Sequence, residues 1–129
     1  MPEPIRPFVV KRTGLLIEDE AVRLAIGFAL GVEGFELATL SRQDAYAIDD
    51  LDGLSAVVLD VGDANLEAIS QLLKSGFSAE GIIVLATAPS LTLQHTCKNL
   101  GATLIEKPLL CDELIAAIRR MNAENGMES

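Results

Sequence analysis

Residues 55–60 read SAVVLD. An apolar run closed by a carboxylate, with no polar alternation inside it, is the pattern of a strand buried on both faces. Two further stretches share the apolar run: LLIED at residues 15–19, also closed by carboxylates, and GIIVLAT at residues 81–87, the most apolar of the set, closed by a hydroxyl. Strands of this kind belong in a parallel sheet, which needs crossover helices between its strands.

The segments between the runs have helical spacing. Ala21 to Val32 places Val22, Ile26, Ala29 and Leu30 on one face. Ser41 is a suitable N-cap for a short helix at about residues 42–50. Leu66 to Lys74 carries Leu66, Ile69, Leu72 and Leu73 in phase, Leu91 to Leu100 is closed by Gly101, and Asp112 to Met121 turns Leu114, Ile115 and Ile118 inward. Phe35–Leu40, after the turn at Gly34, and Ala102–Pro108 complete five strands. The expected architecture is α/β: a three-layer α/β/α sandwich around a five-stranded parallel sheet, occupying residues 13–121. Residues 1–12 are expected to form an arm, since Pro2, Pro4 and Pro7 disfavour regular structure while Phe8, Val9 and Val10 offer apolar surface. The polar residues 122–129 read as a frayed, flexible tail.

At 129 residues, with 50% hydrophobic and 22% charged residues, the chain has the size and composition of one globular domain. Its net charge of −9 disfavours direct nucleic-acid binding and attachment to anionic lipid. Cys97 and Cys111, with His95 as the only histidine, are too few for a Cys/His zinc site. Two lone thiols and the lack of a span-length apolar run lead us to expect a cytoplasmic protein. The glycines of GFALGVEG, residues 27–34, follow a helix and do not form GxGxxG, and GxxxxGK[ST] is absent, so neither nucleotide motif is present.

In parallel α/β sheets, sites lie beyond the carboxyl ends of the strands. Here those ends carry Glu18 and Asp19, Asp60, Thr87, and Lys107 followed by Pro108. Three carboxylates, a hydroxyl and an ammonium would then share one edge. A hard divalent cation such as Mg2+ would relieve the repulsion. Asp19 and Asp60 would be direct ligands, Glu18 a ligand through water, and a backbone carbonyl near Gly62 a further oxygen. Asp60 would serve as a carboxylate nucleophile toward a phosphoryl group. Thr87 and Lys107 would bond the transferred oxygens. Each residue also has a plainer use: Asp19 and Glu20 are favourable charges at a helix N-terminus.

The pieces LLIEDEAVR, AVVLD, IIVLATA, GA before the fifth strand, and EKP before an amphipathic helix resemble the response-regulator receiver domains of two-component signalling over about residues 13–121. The resemblance implies a flavodoxin-like (βα)5 fold. It also implies Mg2+ on Glu18 and Asp19, and a phosphoryl group on Asp60 donated by a histidine kinase or histidine phosphotransfer protein. Thr87 and Lys107 would complete the site. It further implies docking or dimerisation through residues about 91–121. Signalling from the domain itself would run through protein–protein contacts. The chain departs from the pattern in the loop DVGDANLEA: Ala64 takes the usual proline position, and Glu67-Ala68 the usual Asp-Gly. Leu104 takes the place of the aromatic residue three before the lysine, whose rotamer carries the usual switch. These departures motivate an alternative, a degenerate receiver that binds partners without phosphorylation. An aspartyl phosphohydrolase would show Asp-x-Asp, and Gly62 stands where its second carboxylate belongs.

Overall fold

The computed structural model describes residues 12–40, 53–107 and 111–126. Five parallel strands form one sheet: β1 (Arg12–Ile17), β2 (Glu36–Thr39), β3 (Leu54–Asp60), β4 (Ile82–Ala86) and β5 (Thr103–Glu106). Their order is β2-β1-β3-β4-β5, the doubly wound order expected of a three-layer α/β/α sandwich. Four helices are described: α1 (Glu20–Val32), α2 (Asn65–Lys74), α3 (Leu91–Leu100) and α4 (Cys111–Gly126). The helix expected at about residues 42–50, its Ser41 cap and residues 1–11 of the expected arm lie outside the described residues, while Arg12, assigned to that arm, instead opens β1 by pairing with Glu36 and Leu54.

The period of two along each strand assigns side chains to the two faces of the sheet. Leu15, Ile17, Ala56, Val58, Ile83, Leu85 and Ile105 pack with Ile26 and Leu30 of α1 and with Leu114 and Ile118 of α4. Leu16, Val57, Leu59, Ile82 and Val84 pack on the opposite side with Ile69 and Leu72 of α2 and with Leu93 and Cys97 of α3. Because both sets are buried, the central strands read as unbroken apolar runs. Burying one such side chain fully contributes about 1.5–3 kcal/mol, so these two layers hold the strand ends in fixed register.

Helix boundaries follow local chemistry. Asp19 caps α1 by accepting from the Val22 N–H at 3.2 Å, and Ser90 caps α3 by accepting from Leu93 at 3.1 Å. Gly101 ends α3 at φ 85°, a left-handed conformation that an L side chain resists. Two differences from the sequence reading stand out. β5 is shorter than Ala102–Pro108, and α4 runs past Met121 to Gly126. Residues 122–126 lack apolar spacing but include good helix formers, so the backbone continues where the core-facing pattern stops. At the far end of the molecule Arg119 of α4 donates to Glu33 at 2.7 Å and lies over the Phe35 ring, joining α4 to the end of α1. No described helix is long and apolar enough to cross a membrane.

Candidate functional site

Parallel pairing brings the carboxyl ends of β1, β3, β4 and β5 to one edge. Ile17 pairs with Asp60, and the Glu18 N–H donates to the Asp60 carbonyl at 3.0 Å. Beside β4, the Lys107 N–H donates to the Ala86 carbonyl at 2.8 Å, which anchors Lys107 at the end of β5. Its side chain crosses the sheet edge, and Nζ donates to Asp60 Oδ2 at 2.9 Å. Asp60 is 8% exposed. Its carboxylate has given up most of its water and holds an ammonium in exchange, a charge-assisted contact between two groups from different strands.

Asp60 and Lys107 open into a cavity of about 420 Å³ whose other polar lining includes Thr87, Ser90, Asp63 and Asn65. Thr87 follows the last residue of β4 and is exposed at the cavity mouth. Ala88, next in the chain, has φ 48°, an uncommon conformation for a residue with a Cβ, so the turn after Thr87 is held against its local preference. Gly62 opens a single 3-10 turn, Gly62–Ala64, and takes φ 61°, which glycine adopts freely. The chain can therefore fold back beside Asp60 and enter α2 directly.

Three of the expected residues, Asp60, Thr87 and Lys107, thus share one cavity, with Gly62 on its wall. Glu18 and Asp19 do not line it; both are exposed just beyond β1, and Asp19 Oδ1 is engaged in capping α1. The plainer use of Asp19 is therefore realised in the structure. Arg23, which the sequence reading did not single out, sits within 3.5 Å of the Ile17 carbonyl and 3.9 Å of the Glu20 carboxylate. Among the described residues no three Asp, Glu, His or Cys side chains are grouped as a metal cage. The donor types still fit a hard divalent cation. Carboxylates stand at the ends of adjacent strands, and a glycine loop offers carbonyl oxygens beside them.

A buried residue of the cavity wall escaped the sequence reading. Asn65, the first residue of α2, is 3% exposed. Its Oδ1 accepts from the Val61 N–H at 2.9 Å and its Nδ2 donates to the Leu85 carbonyl at 3.3 Å. The only available signal was a polar residue at a core-facing helix position. His95 is exposed on α3, away from the cavity. Leu104 is half-buried, paired with Val84 and packed on the α2–α3 side of the sheet.

No family model matches the sequence, and no curated protein matches it. Solved structures do match in shape. A response regulator receiver domain protein from Clostridium thermocellum aligns with a TM-score of 0.79 at 16% identity, covering 92% of this chain and 99% of that one. A CheY-like receiver domain protein from Methanospirillum hungatei JF-1 aligns at 0.75 with 21% identity, covering 93% and 99%. A chemotaxis protein of Vibrio cholerae aligns at 0.71 with 19% identity, covering 87% and 98%. The chain has the fold of these receiver domains along nearly their whole length.

Proposed function

We propose that this domain is a receiver that accepts a phosphoryl group on Asp60 from a phosphohistidine of a kinase or phosphotransfer protein, in a Mg2+-dependent reaction. The observation that carries the reading is the buried Asp60 carboxylate at the end of β3, 2.9 Å from Lys107 Nζ and open to a cavity shared with Thr87. A free carboxylate oxygen of Asp60 attacks phosphorus. The P–O bond forms as the P–N bond to the donor imidazole breaks, and the imidazole leaves with the electron pair. Lys107 and the Thr87 hydroxyl donate to the phosphoryl oxygens, and Lys107 offsets their charge. Asp60, Glu18 and Asp19, with a carbonyl near Gly62, would hold Mg2+. When bound, the ion supplies charge neutralisation on the transferred group.

A protein donor also needs a surface to rest on. Leu24, Phe28 and Val32 of α1 are 62%, 75% and 68% exposed and recur every four residues, so they form one apolar stripe. The helix that carries it begins directly after Asp19, at the edge of the site. This supports a donor that lays an apolar helix face along α1. Transfer from such a donor places the domain in the cytoplasm, where lone thiols stay reduced. Output would then pass through protein–protein contacts.

The second reading, a partner-binding module that works unphosphorylated, is favoured by Asp19 being committed to the α1 cap and by Leu104 in the switch position. Intact mass after incubation with acetyl phosphate separates the two. The account expects one phosphate on the wild type with Mg2+, and none with chelator or on Asp60→Ala. An unchanged wild-type mass supports the binding module.

A further inference from the structure

We infer that Asn65 is a positioning residue that locks the Asp60 loop to the end of β4, and so sets the relative placement of Asp60 and Thr87. The inference rests on the reading of Asp60 as phosphoacceptor. Its structural basis is where the β3–β4 ladder ends. Paired residues run from Val57–Ile82 to Leu59–Val84 and go no further. Asp60 and Thr87 both lie beyond that last pair. Across the gap a single side chain makes both connections. Asn65 Oδ1 holds the N–H of Val61, the residue directly after Asp60, and Asn65 Nδ2 holds the carbonyl of Leu85, two residues before Thr87.

An amide suits this task because it presents an acceptor and a donor about 2 Å apart on one rigid plane. Both backbone groups are buried with it, so no water is at hand to replace either bond. The loop has few other constraints. It is one 3-10 turn containing a glycine at φ 61°, and Ala64 offers no ring to stiffen it. The asparagine therefore supplies rigidity that the loop's own sequence does not. Misplacement by about an ångström between reacting groups is enough to slow a reaction by around a hundredfold.

Three variants test this: Asn65→Ala removes both bonds, Asn65→Asp keeps only the acceptor for Val61, and Asn65→Ser shortens the reach. Each is assayed for the rate of phosphate uptake from acetyl phosphate with Mg2+, as a function of donor concentration. Rates are expressed per folded molecule from circular dichroism. The expected result is a maximal rate at least about tenfold lower in Asn65→Ala, with the half-saturating donor concentration within about twofold of wild type. Asn65→Asp should fall between, and the Val61 amide resonance should keep its wild-type shift only there. Should Asn65→Ala fail to fold, Asn65→Asp and Asn65→Ser carry the comparison. Wild-type rates per folded molecule in the folded variants would overturn the positioning role and leave Asp60 as acceptor. No uptake by the wild type itself would overturn the reading of Asp60, and the positioning role with it.

Discussion

Asp60 and Lys107 show how the site is balanced at the level of single residues. A carboxylate at 8% exposure is costly to keep charged unless a partner replaces its water, and Lys107 does so at 2.9 Å. A phosphoryl group arriving on Asp60 would meet an ammonium already in place. Among the described residues, Cys97 is a second buried titratable side chain. Burial raises its thiol above the ordinary thiol range, so it stays protonated where the unfolded chain would lose the proton. The contribution to stability is therefore complete below the unfolded thiol pKa, about 8.5, and is lost as pH rises through the folded value. In a Cys111→Ser background the thiol should react slowly with a disulfide reagent in buffer and rapidly in urea. The stability advantage over Cys97→Ala should shrink above about pH 8.5. Equal reaction rates in buffer and urea would contradict this. Asp60, Thr87 and Lys107 were legible in the sequence because an apolar strand announces its own end. Asn65 was not, since its two partners belong to separate strand ends that only the fold brings together.

Among the elements, α1 carries the clearest functional contrast. Its inner face, Ile26 and Leu30, is buried under the sheet, while Leu24, Phe28 and Val32 face outward on a stripe that no described element covers. Phe28→Glu should leave stability within about 0.5 kcal/mol, since an exposed side chain contributes little packing. It should leave uptake from acetyl phosphate unchanged and slow transfer from a phosphorylated histidine protein by about tenfold or more. Equal slowing with both donors would place Phe28 in the site rather than in docking. The pattern of elements was readable because continuous apolar runs and helical spacing are strong signals. α3 matched to the residue: Gly101 signals its end in the sequence, and the structure adds Ser90 as the cap of its start. β5 and the end of α4 were less legible. Pairing with β4 decides how much of the fifth run is strand, and the α4 backbone continues to Gly126, past the last apolar position of the pattern.

At the scale of the molecule, the order β2-β1-β3-β4-β5 places β1 at the reversal between β2 and β3. The crevice of a doubly wound sheet opens at such a reversal, and the carboxylates at the ends of β1 and β3 stand on either side of it. Strand order was not legible in the sequence, because periodicity says which segments are strands and not which are neighbours. That order is also why a cluster of acidic residues is tolerable in a chain of net charge −9: Glu18 and Asp19 lie at a solvent-facing edge, and Asp60 is paired with Lys107. The account's central claim is that Asp60 takes the phosphoryl group. Borohydride reduction of the protein after treatment with acetyl phosphate and Mg2+, followed by peptide mapping, tests it at the residue itself. An acyl phosphate is reduced to the alcohol, so the account predicts homoserine at position 60 and unmodified Glu18, Asp19 and Asp63. Homoserine at none of the carboxyl positions, or reduction at a carboxylate other than Asp60, would contradict it.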